Sequence, residues 1–403
     1  MKTVAIVGTF DSKGTEFAYV RDIIQGLGLK TFTIHSGVFE PTFAPDVSNE
    51  EVAKAAGAEI HEIAAKKDRA LATEILAKGM EKLVPQLYAE GKFDGILSFG
   101  GTSGTAIVTP AMRALPIGIP KIMVSTVASG NTSQYVGTSD VIMYPSIVDI
   151  AGINSISVKI FTNAAFAIAG MLTFEGSKEI EKKPLIAATM FGVTTPCINY
   201  AREYLEKEGF EVIIFHATGI GGKTMENLIE SGFFDGVLDL TTTEWCDELV
   251  GGVLNAGPHR LEAAGRCHIP QVVSTGALDM VNFGPFESVP KEFQGRNLYK
   301  HNPTVTLMRT TIEENRQLGL TLAEKLNQAK SPTVLMLPLK GVSMIDVKDQ
   351  PFYGPEEDQM LFSTLREKID RDVVELIEID SDINDQKFAI AAAKKLSELI
   401  KKT

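Results

Sequence analysis

Val4-Ala5-Ile6-Val7-Gly8-Thr9-Phe10-Asp11-Ser12-Lys13-Gly14 opens the chain, and Leu185-Ile186-Ala187-Ala188 holds the corresponding place in the second half. A continuous apolar run closed by a glycine turn is the pattern of a parallel strand buried on both faces. Residues 16–27 then carry Phe17, Val20, Ile23, Ile24 and Leu27 at helical spacing, and residues 31–34 form a second apolar strand after Gly28. This is a βαβ unit, with residues 8–14 as its turn. Further on, a polar helix over residues 67–89 leads to the strand Gly95-Ile96-Leu97-Ser98-Phe99, a glycine-rich turn, a helix ending near Leu115, and a strand over residues 121–126. Such alternation predicts a doubly wound parallel sheet.

The second half repeats that order. Phe93-Asp94-Gly95-Ile96-Leu97 returns as Phe234-Asp235-Gly236-Val237-Leu238, and Ile119-Pro120 before Ser125-Thr126 returns as Ile269-Pro270 before Ser274-Thr275. His35 and His216 end equivalent strands, each either an active-edge residue or a structural histidine. With 403 residues, more than one ordinary core holds, we expect two related Rossmann-like α/β domains, residues 1–180 and 181–403. The charged stretch over residues 177–184, with Glu179, Glu181, Lys182 and Lys183, reads as a solvated linker.

Composition narrows the function. The hydrophobic share of 44% argues against wholesale disorder, and a net charge of −12 argues against a nucleic-acid or anionic-membrane binder. Local amides still bind an anion whatever the net charge. Cys197, Cys246 and Cys267 lie far apart and suggest neither a disulfide framework nor a zinc site. The chain runs at once into a strand pattern, so no signal peptide is expected, and the lipid-like run over residues 164–174 is short for a membrane span. We expect a cytoplasmic protein.

Glycine turns after strands carry the candidate chemistry, because ligands in open α/β sheets sit beyond the carboxyl ends of strands. Gly100-Gly101-Thr102-Ser103-Gly104-Thr105 offers backbone approach and hydroxyl donors to a phosphate, or else is a turn capped by Ser103. In Thr9-Phe10-Asp11-Ser12-Lys13-Gly14, Lys13 and Asp11 read either as phosphate counter-charge and Mg²⁺ ligand or as a surface ion pair. His216-Ala217-Thr218-Gly219-Ile220-Gly221-Gly222-Lys223 lacks the first glycine of a P-loop, which falls on Ala217, and the third glycine of a dinucleotide fingerprint. It remains a looser anion nest, and Asp239 keeps a nicotinamide reading open. Thr241-Thr242-Thr243-Glu244 reads as a helix cap, and residues 282–286 and 301–303 read as long loops.

These stretches together resemble the Tm-one-like ATP-binding domain family. The likeness runs through residues 8–16, the turn at Gly100 to Thr105, Met123-Val124-Ser125-Thr126 and Asp149-Ile150-Ala151-Gly152-Ile153-Asn154. It continues through Met190-Phe191-Gly192-Val193-Thr194-Thr195-Pro196, the turn from His216 to Thr224, Ala256-Gly257-Pro258 with Arg260, Gly276-Ala277-Leu278-Asp279-Met280, and residues 301–311. The resemblance covers nearly the whole chain. It implies a two-lobed protein that binds ATP with Mg²⁺ and self-associates as a homodimer or larger oligomer. The site residues we expect are Thr9, Asp11, Lys13, Gly14, the residues from Gly100 to Thr105, Thr194, Thr195, His216, Gly219, Gly221 and Gly222, with Asp11 on the metal. Two functions follow. One is a nucleotide-binding regulatory or interaction protein with a small-molecule or protein partner. The other is an enzyme moving phosphoryl from ATP to a small metabolite.

Overall fold

Strands buried on both faces need helices above and below the sheet, and both halves of the chain supply them. The computed structural model describes residues 1–173 and 183–402, and the chain divides into two compact units, Met1–Ile180 and Glu181–Thr403. The linker expected over residues 177–184 falls outside the described residues except for Lys183 and Pro184.

The first unit runs β1 (Thr3–Gly8), α1 (Phe10–Gly26), β2 (Lys30–His35), α2 (Asn49–Ala55), α3 (Ile60–Lys66), α4 (Arg69–Ala89), β3 (Gly95–Gly100), α5 (Thr102–Arg113), β4 (Lys121–Ser125), α6 (Ser133–Val136), β5 (Ile142–Pro145) and α7 (Ser155–Thr173). Its strands pair in parallel in the order β2-β1-β3-β4-β5. Alternate residues of β1 serve opposite cores. Val4 and Ile6 pack with Phe17, Val20 and Phe161 of α1 and α7, whereas Ala5 and Val7 pack with Leu76, Met80 and Val108 of α4 and α5. By length and apolar composition α7 could cross a membrane, but Phe161, Ala164, Ala165 and Ile168 lie in that core.

The second unit runs β6 (Leu185–Met190), α8 (Thr195–Lys207), β7 (Glu211–His216), α9 (Ile220–Glu230), β8 (Gly236–Thr241), α10 (Glu244–Val250), α11 (Ala263–Arg266), β9 (Gln271–Gly276), β10 (Met280–Phe283), β11 (Leu298–Asn302), β12 (Val305–Arg309), α12 (Ile312–Asn327), β13 (Thr333–Pro338), α13 (Pro355–Lys368), β14 (Val374–Ile379) and α14 (Gln386–Ile400). A parallel sheet in the order β14-β13-β9-β8-β6-β7 stands beside an antiparallel sheet, β10-β12-β11. Read from β7, its first four strands follow the order of the first unit, so the repeat in the sequence is a repeat of fold. The doubled Phe-Asp-Gly has a physical reason. Asp94 accepts from the Thr3 amide at 2.8 Å and Asp235 from the Leu185 amide at 2.7 Å, so each aspartate pins the start of its unit's first strand.

Two expectations need correction, and the chain between them gains two helices. Helix α1 begins at Phe10 rather than Glu16, because the Phe10 ring is buried against Phe17, Phe43 and His35; the helix is broken only at Lys13, with φ −133°. Helices α2 and α3 precede α4, and Ser48 and Glu51 form a capping box at the start of α2. Residues 282–286 and 301–303 are not simply long loops. Asn282 and Phe283 belong to β10, where Asp247 accepts from the Asn282 backbone at 2.6 Å and its Nδ2 at 2.8 Å, while His301 and Asn302 end β11.

Beside β12, Arg309 donates to Asp346 at 3.1 Å and Asp358 at 2.9 Å, with Asp279 buried nearby and holding Ser343. One guanidinium serves three carboxylates, and burial pushes Asp279 up to about 6 and Asp346 up to about 10. Folded protein then holds protons that unfolded carboxylates release near pH 4, so this cluster's stability is lost as pH rises through those raised values. We expect Asp346→Asn to flatten the fall in thermal midpoint between pH 5 and 9. An unchanged slope in that variant would exclude the cluster as its source.

Candidate functional site

An α5 that starts two residues beyond β3 leaves its first amides without intrahelical partners. Gly101 occupies the N-cap, where no side chain caps the helix, so the cap by Ser103 is not formed. Gly101, Ser103 and Gly104 of this helix start line a cavity of ≈ 760 Å³ at the carboxyl ends of β1 and β3. The strand order reverses between these two strands, which is where doubly wound folds open a crevice.

Seven of the expected residues, Thr9, Asp11, Lys13, Gly100, Gly101, Ser103 and Gly104, line this cavity. A Cβ at Gly101 or Gly104 would meet no protein atom closer than 3.7 or 3.8 Å, whereas one at Gly100 would press on Gly104 at 3.0 Å. Asp11 accepts from the Phe39 amide through Oδ2 at 3.0 Å, while its buried Oδ1 has no partner. Lys13 donates to the Ile150 carbonyl rather than to Asp11. The surface ion pair is thus absent. His35 is structural: its Nδ1 takes the Phe10 amide at 3.1 Å and its Nε2 donates to the Phe39 carbonyl at 2.9 Å.

Gly14, Thr102 and Thr105 do not line the cavity. Gly14 packs under Thr42, Thr102 is exposed, and the Thr105 hydroxyl is spent on the Gly101 carbonyl at 2.8 Å and Ser125 at 2.7 Å. Sequence reasoning passed over Phe39, Lys67 and Arg69, and it met Asp149 only as part of a motif. All four line the cavity. Lys67 and Arg69 make no ion pair among the described residues, and Ile63, Ala72, Leu76 and Ile107 give an apolar wall.

Thr194, Thr195, His216, Gly219, Gly221 and Gly222 belong to the second unit, where the corresponding reversal lies between β6 and β8. That end is filled. The nest expected at Gly219 to Gly222 is real, but its anion is Glu244, which takes the Gly219 amide at 2.6 Å and the Gly222 amide at 3.1 Å. Arg260, 1% exposed, binds Glu244 at 2.7 Å, Asp239 at 2.5 and 2.8 Å, and Glu226 at 3.1 Å. Burial opposes the charge of Arg260, but Asp239 and the two glutamates outweigh it and hold the guanidinium protonated. Burial likewise pushes Glu226 and Glu244 up against the pull of Arg260. With Asp239 bound to Arg260 from both oxygens, no ribose carboxylate is free there.

The threonines before α10 are no cap either: Thr241 bonds Thr194 at 2.8 Å and Thr242 bonds the Ser274 carbonyl at 2.9 Å. The Thr195 hydroxyl turns back to the Phe191 carbonyl at 3.2 Å. His216 is exposed at its strand end. Among the described residues, no group of three His, Cys, Asp or Glu is placed to hold a metal unaided.

Family models match both units: the N-terminal domain of the Uncharacterised protein family (UPF0261) over residues 2–177, and its C-terminal domain over residues 183–400. The chain is 56% identical to a UPF0261 protein of Clostridium tetani over 100% of both chains. It is 46% identical to the ToMV resistance protein Tm-1(GCR237) of Solanum lycopersicum over 83% of this chain and 45% of that protein. A solved UDP-GlcNAc 2-epimerase from Methanocaldococcus jannaschii is 10% identical, with a TM-score of 0.23 over 68% of this chain and 83% of that one.

Removing one partner of a buried ion cluster strands the others in low dielectric. We expect Arg260→Met to destabilise the second unit by about 3–5 kcal/mol in urea unfolding. A change below ~1 kcal/mol would mean that the carboxylates relax to solvent or take up protons without cost.

Proposed function

The chain belongs to the UPF0261 family, and from the geometry of its open strand reversal we propose that it binds Mg-ATP in the β1–β3 cavity. The observation that carries this reading is the uncapped start of α5 facing a cavity lined by Lys13 and Asp11. The uncapped helix start, its dipole and the Lys13 ammonium suit a phosphate chain, and ≈ 760 Å³ lies within the range of small-molecule sites. The choice of ATP among nucleotides rests on the family resemblance.

Magnesium fits the residues present. It takes one or two carboxylates along with phosphate oxygens and water, and Asp11 keeps a buried, unpartnered Oδ1, with Asp149 on the same lining. These two would hold the ion, which neutralises phosphate charge. Among the lining acids, Asp68 is committed to capping α4 through the Ala70 and Leu71 amides. With Asp11 and Asp149 assigned to the ion and Asp68 to the cap, the role we propose is a regulatory or interaction one in which ATP is chiefly a structural ligand. Free thiols at all three cysteines accord with a cytoplasmic setting.

Calorimetry is expected to detect Mg-ATP, and Gly101→Val or Gly104→Val to remove binding while the thermal midpoint of the free protein holds. Normal binding by both variants would reduce the glycines to turn residues and place the site elsewhere. ADP release at about 1 s⁻¹ or faster by the protein alone would make it an ATPase instead.

Self-association is the second part of the proposal. Ile156, Phe166 and Met171 of α7 are 45%, 52% and 44% exposed, and at 100° per residue they share one side of the helix. Light scattering is expected to give a dimer or larger mass, and a monomer at micromolar concentration would remove this part.

A further inference from the structure

Phe39 stands apart from the buried aromatic residues of the first unit's core. The residue is 68% exposed, while Phe10 and Phe17 are fully buried, and its ring makes no ring–ring contact among the described residues. Its main chain, by contrast, is held from several directions. The amide donates to Asp11 at 3.0 Å, and the carbonyl accepts from His35 Nε2 at 2.9 Å. Two residues earlier, Gly37 gives its amide to His35 Nδ1 at 3.3 Å and takes Asn49 Nδ2 on its carbonyl at 2.9 Å. A Cβ on Gly37 would stand 2.5 Å from both Asp11 Oδ1 and His35 Cε1, so only glycine lets the loop lie this close. Asp11, His35 and Asn49 therefore fix the backbone of a residue that lines the cavity and is left largely in water.

Holding an apolar ring in water gains the folded chain nothing, and such a ring on a fixed backbone is the form that stacking platforms take. The geometry points to Phe39 as the surface on which the planar heteroaromatic ring of the ligand stacks, with the phosphates at the start of α5. This inference rests on the nucleotide reading and adds to it the part of the ligand that the glycine turns cannot recognise. Asp11 then serves both ends of the ligand, since one oxygen holds the Phe39 loop while the other is left for the cation. Without an aromatic partner at Phe39 the site would grip any polyphosphate alike.

The test compares Mg-ATP with Mg-tripolyphosphate by calorimetry on the full chain. Wild type is expected to bind ATP the more tightly. Phe39→Ala keeps the main-chain bonds and is expected to weaken ATP about 5- to 100-fold, as for loss of one stacked base, with tripolyphosphate within twofold of wild type. Phe39→Trp is expected to restore ATP affinity and to show fluorescence quenched by ATP but not by tripolyphosphate, the native chain having a single tryptophan. If Phe39→Ala leaves ATP affinity unchanged, or weakens both ligands equally, stacking is overturned while the phosphate site stands. If wild type binds neither ligand, the nucleotide reading falls and the stacking inference with it.

Discussion

A doubly wound sheet cannot cover the carboxyl ends of the two strands between which its order reverses, because the flanking helices leave there on opposite faces. Everything distinctive in this chain follows from how its two units meet that constraint. In the first, β1 passes into α1 after Thr9 and β3 passes into α5 after Gly101, and no side chain fills the space between. In the second, the same space between β6 and β8 is closed by Asp239, Glu244 and Arg260. An unmade bond at a buried amide costs roughly 1–3 kcal/mol. Glu244 satisfies two such amides from within the chain, whereas those at the start of α5 are left to solvent or ligand.

The strands and their order were legible because buried parallel strands leave continuous apolar runs, and because Asp94 and Asp235 repeat a clamp that works through the main chain. Helix α1 was misread at its start since Phe10 looks like a turn residue until Phe43 is seen stacked on it. The start of α2 is legible in its Ser48 and Glu51 capping box. Strand β10 hid behind Asn282, a polar residue that is buried only because Asp247, 35 residues away, satisfies it.

The site was legible in part for a related reason. Glycine turns show that a backbone can approach an anion, but not which anion it is. Gly219 and Gly222 formed a nest as read; what could not be seen is that Glu244, 22 residues beyond Gly222, reaches back into it. In the same way Thr105 looked like a donor until its hydroxyl proved tied to Ser125. Phe39, Lys67 and Arg69 come from the long crossover between β2 and β3, whose path over the sheet end no local pattern discloses.

Arginine decides the difference between the halves more than glycine does. Arg260 and Arg309 each gather several carboxylates at the second unit's sheet ends, and both clusters carry more acid than base. Such clusters bear their desolvation only with full hydrogen bonding and some retained protons. An incoming phosphate would therefore have to expel Glu244 from two amides and from Arg260 together. It would also have to bring its own charge next to Asp239. At the first unit's reversal the cations are Lys13, Lys67 and Arg69, none bound to a carboxylate among the described residues, and an arriving anion would compete at most with the Ile150 carbonyl for Lys13. With nearly the same strand order in both sheets, the second unit's reversal is occupied by Glu244, Asp239 and Arg260, whereas the first unit's is an open cavity.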